Sequence, residues 1–124
     1  MVGDRRSPKE PLPLESFELA LEEDMSLSDE FDLPLTLLVI RAKGGLDPQT
    51  TRRLLDVLRT AEPATLPTPS ELAVVLPNTS LDGARAVESR ALEVLPDARV
   101  GLAVYEPGDA VPDLLGRARS AAEP

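Results

Sequence analysis

The chain contains neither cysteine nor histidine. The absence of cysteine excludes disulfides and thiol chemistry, and without histidine the sequence also lacks the usual general base near neutral pH and most zinc sites. Any catalysis would therefore have to use carboxylates, hydroxyls or lysine. On these grounds we expect no cofactor and no metal.

Aromatic residues and positive charge are both scarce. Only 2% of the residues are aromatic, and 22 acidic against 13 basic residues give a formal net charge of -9. Such a chain repels a phosphate backbone and has little on which to stack bases, so the composition predicts no nucleic-acid partner. No long apolar run follows the basic pair Arg5-Arg6, so we expect no signal peptide, no membrane span and a cytoplasmic location.

The length of 124 residues fits one domain with its own core. Residues 1–13 combine charge with three prolines and show no apolar periodicity, which predicts a flexible N-terminal tail. We therefore expect the folded domain to occupy residues 14–124.

An acidic amphipathic helix is predicted to begin at Leu14. Phe17, Leu21 and Met25 recur at helical spacing, and glutamates and aspartates fill the other side. No basic residue lies between Lys9 and Arg41. This acidic run has two interpretations, a solvated helix face or a docking surface for a basic partner.

Strand and helix patterns then alternate along the rest of the chain. The predicted elements are a strand at 35–40, a helix at 48–60 that begins after Asp47, a hairpin of strands at 64–66 and 71–76, a helix at 84–95, a strand at 99–105 and a helix at 114–122. This order predicts an α+β fold with a ferredoxin-like βαββαβ core, an N-terminal helix and a C-terminal helix. In the ferredoxin-like arrangement the sheet is antiparallel and the helices lie on one face.

The segment Glu71–Thr79 contains an apolar strand that ends in proline, and an alanine-rich helix follows it. This segment and two others of the second half resemble the GGDEF domain of bacterial diguanylate cyclases, in which a signature hairpin leads into such a strand. A later strand with a glycine, an aliphatic residue, an alanine and then a tyrosine is similar to Val100–Tyr105. The closing helix with paired leucines is similar to Leu114-Leu115 and the alanines after them. The resemblance implies the fold given above.

Members of this family make cyclic di-GMP from two GTP molecules and need divalent metal held by carboxylates. The resemblance places one such carboxylate at the end of the first strand, where this chain has Ile40-Arg41-Ala42, and another at Ser70. Thr68-Pro69 replaces the two signature glycines and offers no phosphate cradle, because proline lacks the N–H donor. Of the acidic positions of the signature, only the one at Glu71 still carries an acid in this chain. The resemblance therefore implies a degenerate domain that is not an enzyme, with a remnant signature turn formed by Thr68, Pro69, Ser70, Glu71 and Leu72.

Active cyclases of the family often carry an inhibitory arginine-x-x-aspartate site five residues before the signature. Arg59-Thr60-Ala61-Glu62 falls at that spacing with glutamate in place of aspartate. Arg59 and Glu62 could bind guanine and phosphate groups through a planar fork and a carboxylate. The alternative is an arginine favoured at a helix end, with a chance acid three residues later.

The sequence thus predicts a non-catalytic GGDEF-like domain that acts as a protein-interaction or regulatory module in bacterial signalling. Its partner would be another protein or a second copy of itself. The alternative is a cyclic di-GMP receptor that uses Arg59 and Glu62. An enzyme of another kind is not indicated, since the sequence shows no nucleophile–base pair and no metal-ligand cluster.

Overall fold

The computed structural model of the protein describes residues 10–58 and 63–123. In these ranges an initial helix is followed by strands and helices in the order β-α-β-β-α-β-α. The elements are α1 (Leu14–Phe31), β1 (Leu35–Arg41), α2 (Pro48–Leu58), β2 (Ala64–Thr68), β3 (Glu71–Pro77), α3 (Leu81–Val94), β4 (Arg99–Val104) and α4 (Val111–Ala121).

The strands form one antiparallel sheet in the order β2-β3-β1-β4. β1 lies between β3 and β4, so its last residue, Arg41, faces Glu71 of β3 on one side and Arg99 of β4 on the other. This topology confirms the α+β fold, the βαββαβ core and the additional helix at each end of the chain. The two crossovers, through α2 and α3, return the chain to the same sheet.

Helices cover both faces of the sheet. The apolar side chains of α2 and α3 pack with Leu38, Ile40 and Leu72, whereas those of α1 and α4 pack with alternate strand residues such as Leu37 and Val39. The expectation of helices on one face describes α2 and α3 but misses α1 and α4. The physical reason is that β1 is buried at every position from 35 to 40, and a strand buried on both faces needs a layer on each side.

Helix α1 buries Phe17, Leu21 and Met25, as the periodicity predicts. Its C-terminal end is joined to the far edge of the sheet by a hydrogen bond, since the Tyr105 hydroxyl donates to the Asp29 carboxylate with O···O distances of 2.9 and 3.1 Å. The α1 helix is therefore fixed to the core both by apolar packing and by a polar contact next to β4.

Gly101 lets α4 approach β4 closely. A Cβ atom built at this position would lie 2.1 Å from the Ala118 carbonyl oxygen and 2.5 Å from the Ala122 nitrogen. Both contacts are with the backbone at the end of α4, which cannot turn away as a flexible side chain can. Any residue other than glycine would therefore displace this helix.

The folded unit begins before Leu14. Leu12 lies beside the edge strand β2, where its N–H donates to the Ala64 carbonyl at 2.7 Å and its carbonyl accepts from the Thr65 hydroxyl at 2.8 Å. The domain boundary predicted at Leu14 thus excludes a residue that pairs with the sheet. The remainder of the predicted tail, residues 1–9, lies outside the described part of the chain.

Candidate functional site

The signature-like turn joins β2 to β3 and is held by the loop that follows β1. Thr68 ends β2, Pro69 and Ser70 form the turn, and Glu71 begins β3. The Ala42 N–H donates to the Ser70 carbonyl at 2.8 Å, and the Leu46 N–H donates to the Pro69 carbonyl at 2.9 Å. Both carbonyls of the turn therefore bond to the chain's own backbone.

Glu71 is buried below this turn, with 2% of its side chain exposed. Its Oε2 lies 2.6 Å from the Arg41 Nη2, and its Oε1 lies 2.9 Å from the Arg119 Nη2. The Thr68 hydroxyl is 3.4 Å from Oε1. Each carboxylate oxygen of Glu71 is thus occupied by a guanidinium group of its own.

Two different elements deliver these arginines. Arg41 is the register partner of Glu71, and directly opposite residues on antiparallel strands share a face of the sheet. Arg119 comes from α4, one residue after Ala118, which is fully buried beside Gly101. Strand register therefore positions the first arginine, and the close contact between α4 and β4 positions the second.

Leu72, the last residue of the turn, points to the opposite face and packs in the core beneath α2 and α3. The remnant turn thus divides between the two faces of the sheet. Its acid lies under α4 and its leucine lies in the core. The carbonyl groups of Pro69 and Ser70, which precede Glu71, accept hydrogen bonds from the loop between β1 and α2.

The electrostatics of Glu71 are set by opposing effects. Burial alone would raise the pKa of this carboxyl, but the hydrogen bonds and charges of Arg41 and Arg119 outweigh it and hold the pKa below its ordinary value of 4.5. Glu71 is therefore ionised at neutral pH. A buried carboxylate without partners would be strongly unfavourable, so the two arginines are what make an acid tolerable at this position.

A divalent cation would need oxygen ligands at this place. Glu71 already shares both oxygens with cations, and the neighbouring Ile40 and Ala42 are buried apolar side chains. Within residues 10–58 and 63–123, no group of three or more acidic side chains is placed to hold a metal ion. The donor set at this end of the sheet does not fit magnesium, which prefers several carboxylate, phosphate or water oxygens.

One predicted pair of site residues lies outside the part of the chain that the structure describes. Arg59 and Glu62 fall between the two described ranges, so their interpretation as a ligand site stays a prediction. Conversely, sequence reasoning missed Arg119. The helical periodicity of α4 could have placed it beside the buried face, but nothing in the local sequence links it to Glu71.

The fold is shared with solved structures of diguanylate cyclases. The active GGEEF domain of a diguanylate cyclase from Vibrio cholerae aligns with a TM-score of 0.70 at 15% identity, covering 87% of this chain and 83% of that one. The GGDEF domain of DgcB from Caulobacter crescentus, solved in complex with c-di-GMP, aligns with a TM-score of 0.70 at 14% identity over 98% of this chain and 91% of that one.

A third structure, the diguanylate cyclase SiaD from Pseudomonas aeruginosa in complex with its activator SiaC, gives a TM-score of 0.74 at 15% identity and covers 93% of this chain and 57% of that one. No family model and no curated protein sequence matches the chain. At these identities the alignments define the fold. The chain therefore has the fold of GGDEF domains, in agreement with the fold that the resemblance in the sequence implies.

Proposed function

We propose that this protein is a non-catalytic GGDEF-like domain that acts in the cytoplasm as a protein-interaction module in bacterial signalling. The observation that carries the proposal is the occupation of both Glu71 oxygens by Arg41 and Arg119. Glu71 is the one acid that the resemblance to cyclases leaves in the signature turn.

Formation of cyclic di-GMP requires a metal that neutralises triphosphate charge and activates a hydroxyl. Arg41 stands at the end of β1, where the resemblance places a metal-binding carboxylate. A metal could use Glu71 only by displacing two guanidinium groups from a buried carboxylate, which would leave their charges to repel the incoming cation. The cluster is thus suited to a structural role and unsuited to metal-dependent catalysis.

An exposed apolar stripe on α1 supports the interaction role. Leu19, Leu27 and Phe31 are 65%, 47% and 58% exposed; Leu27 and Phe31 lie one turn apart, and Leu19 lies about two turns before Leu27. We call these three residues the α1 stripe. Large apolar side chains grouped on one exposed surface are typical of contact sites for other proteins.

The charge around the α1 stripe indicates the kind of partner. Glu15, Glu22, Glu23 and Glu30 are exposed on the same helix, which has no basic residue. A second copy that docked through the same stripe would bring like charges together, whereas a basic amphipathic segment of another protein would pair with them. A basic protein partner is therefore favoured over self-association through α1. The structural neighbour that was solved with an activator protein is consistent with this kind of role for the fold.

The catalytic part of the proposal is tested by incubating the purified protein with GTP and Mg²⁺ and separating the products by chromatography. No cyclic di-GMP or pyrophosphate is expected. Formation of cyclic di-GMP in proportion to protein concentration would overturn this part of the proposal.

The interaction part is tested by immobilising three proteins and exposing each to native cell extract. They are the wild type, a Leu27→Ser/Phe31→Ser double variant and a Leu81→Ser control, which removes an exposed leucine from α3. A partner retained by the wild type and by the control, but lost from the double variant, is expected. Equal retention by all three, or no retained protein together with a monomer in sedimentation equilibrium, would contradict the proposal.

The alternative role as a cyclic di-GMP receptor rests on Arg59 and Glu62. One structural neighbour was solved in complex with c-di-GMP. Calorimetric titration decides this alternative, because binding that disappears in Arg59→Ala would support it and the absence of heat would dismiss it.

A further inference from the structure

A cluster of cations lies at the end of β1, where this strand pairs with β4. Arg41, Lys43 and Arg99 line one cavity of about 530 Å³ together with Asp97. Among the described residues, the lining thus carries three positive charges and one negative charge, in a chain whose net charge is -9. We call these four residues the β1-end cavity.

Strand register brings two of the cations together. Arg41 and Arg99 are directly opposite each other in the β1–β4 pair, so their side chains share a face of the sheet. Like charges at opposite positions destabilise an antiparallel pair. The Glu71 carboxylate compensates Arg41 from the β3 side, but among the described residues no acid forms an ion pair with Arg99 or Lys43.

The elements around the cavity are well suited to hold it open. Arg41 ends a buried central strand, Lys43 lies in the loop that is bonded to the signature turn through Ala42 and Leu46, and Arg99 begins β4. These backbone positions are fixed by the sheet and by the loop contacts. The cations therefore sit on a rigid frame, which lowers the conformational cost of binding an anion.

We propose that the β1-end cavity binds a small phosphate-bearing anion, held between Arg99 and Arg41 with Lys43 at the rim. Planar guanidinium groups bind phosphate oxygens in pairs, and lysine contributes a point charge. A cavity of this volume falls in the range of small-molecule sites. Asp97 also lines the cavity, and its negative charge disfavours anions that approach its carboxylate.

This inference does not depend on the proposed protein-interaction role, and it uses other residues. The proposed anion binding also differs from metal-dependent nucleotide binding, because side chains of the protein, and not a metal ion, would neutralise the charge on the phosphate. Arg41 would contact the anion and Glu71 at the same time, so the buried acid would fix the orientation of the arginine.

The test is an NMR titration of the ¹⁵N-labelled chain with sodium pyrophosphate at constant ionic strength. Saturable shifts are expected at the amides of Arg41, Lys43 and Arg99. Loss of one charge-assisted contact in Arg99→Gln should raise the apparent Kd by about tenfold or more. Lys43→Gln should raise it by a smaller factor.

Arg85→Gln is the matched control, since it removes one exposed positive charge on α3 and lies outside the lining of the cavity. Its Kd should equal that of the wild type. The proposal is overturned if pyrophosphate gives no saturable shifts at millimolar concentration, or if Arg85→Gln weakens binding as much as Arg99→Gln does. The backbone spectra of the variants show in the same experiment that each one is folded.

Discussion

Arg41 and Glu71 face each other across the central pair of strands, and the Arg41 Nη2 lies 2.6 Å from the Glu71 Oε2. The strand register alone creates this pair, because the last residue of β1 meets the first residue of β3. Arg119 then binds the second oxygen from α4. The buried Glu71 carboxylate and its two partly exposed arginines thus form an ion cluster that links the sheet to the last helix.

The first prediction concerns pH. The pKa of Glu71 is lowered in the folded protein, so its contribution to the free energy of unfolding is complete above its ordinary value of 4.5 and is lost as the pH falls through the folded value. Urea denaturation at a series of acidic pH values should therefore show a steeper loss of stability in the wild type than in Glu71→Gln. Asp47 and Asp109 also have lowered pKa values, but they contribute equally to both proteins and cancel in the comparison. If the free energy of unfolding falls equally steeply with decreasing pH in both proteins, the ion cluster is contradicted.

The second prediction concerns the change in the free energy of unfolding caused by Glu71→Gln, which should have opposite signs with and without the two arginines. Glu71→Gln should destabilise the wild type by about 1–3 kcal/mol, since it removes the charged acceptor of two arginines. In Arg41→Gln/Arg119→Gln the same change should stabilise the protein, because an uncompensated buried carboxylate is worse than a neutral amide. Denaturation of the four proteins at neutral pH measures both effects. Destabilisation in both backgrounds would show that Glu71 does not depend on the two arginines.

The third prediction compares two glycines. Gly101→Ala should destabilise the protein by several kcal/mol, or prevent folding, because the new Cβ atom would overlap the backbone of α4. Gly116→Ala is the control, since nothing lies within 4 Å of its Cβ position on the exposed side of the same helix. That change should stabilise the protein by about 0.5–1 kcal/mol through helix propensity. Thermal unfolding followed by circular dichroism checks both directions, and equal effects would refute the close approach of α4 to β4.

The fourth prediction uses the only tyrosine of a chain that has no tryptophan. Burial and the hydrogen bond to Asp29 raise the pKa of Tyr105 above its ordinary value of 10.0. Tyrosinate absorbance should therefore develop at higher pH than in a model peptide, and Asp29→Asn should move the transition towards the ordinary value. Asp32→Asn, at the left-handed residue that ends α1, should leave it unchanged. If the tyrosinate transition occurs at the same pH in Asp29→Asn as in the wild type, the docking of α1 at β4 is contradicted.

Much of the fold could be predicted from the sequence because the pattern of each element is local. The apolar run at 35–40, the helical spacing of Phe17, Leu21 and Met25, and the strand after Glu71 each correspond to a described element. Their order limits the possible topologies to a few. The same run has no polar face, which indicates cover on both sides of the sheet, and α1 and α4 supply the second layer.

The ion cluster could be predicted only in part. The resemblance seen in the sequence places Arg41 where a carboxylate is expected and leaves Glu71 as the remaining acid of the turn. It could not show that the two are register partners, because register depends on the whole sheet. The contribution of Arg119 depends on how close α4 comes to β4, and the pairing of Leu12 with β2 uses backbone groups that carry no side-chain signal.

The most direct test of the account is a titration of the ¹⁵N-labelled protein with Mn²⁺, whose unpaired electrons broaden the signals of nearby amides. If Arg41 and Arg119 occupy the place of a metal, the amides of Ala42, Ser70 and Glu71 should show no saturable broadening at millimolar Mn²⁺. Saturable broadening centred on Glu71, accompanied by release of the two arginines, would contradict the account.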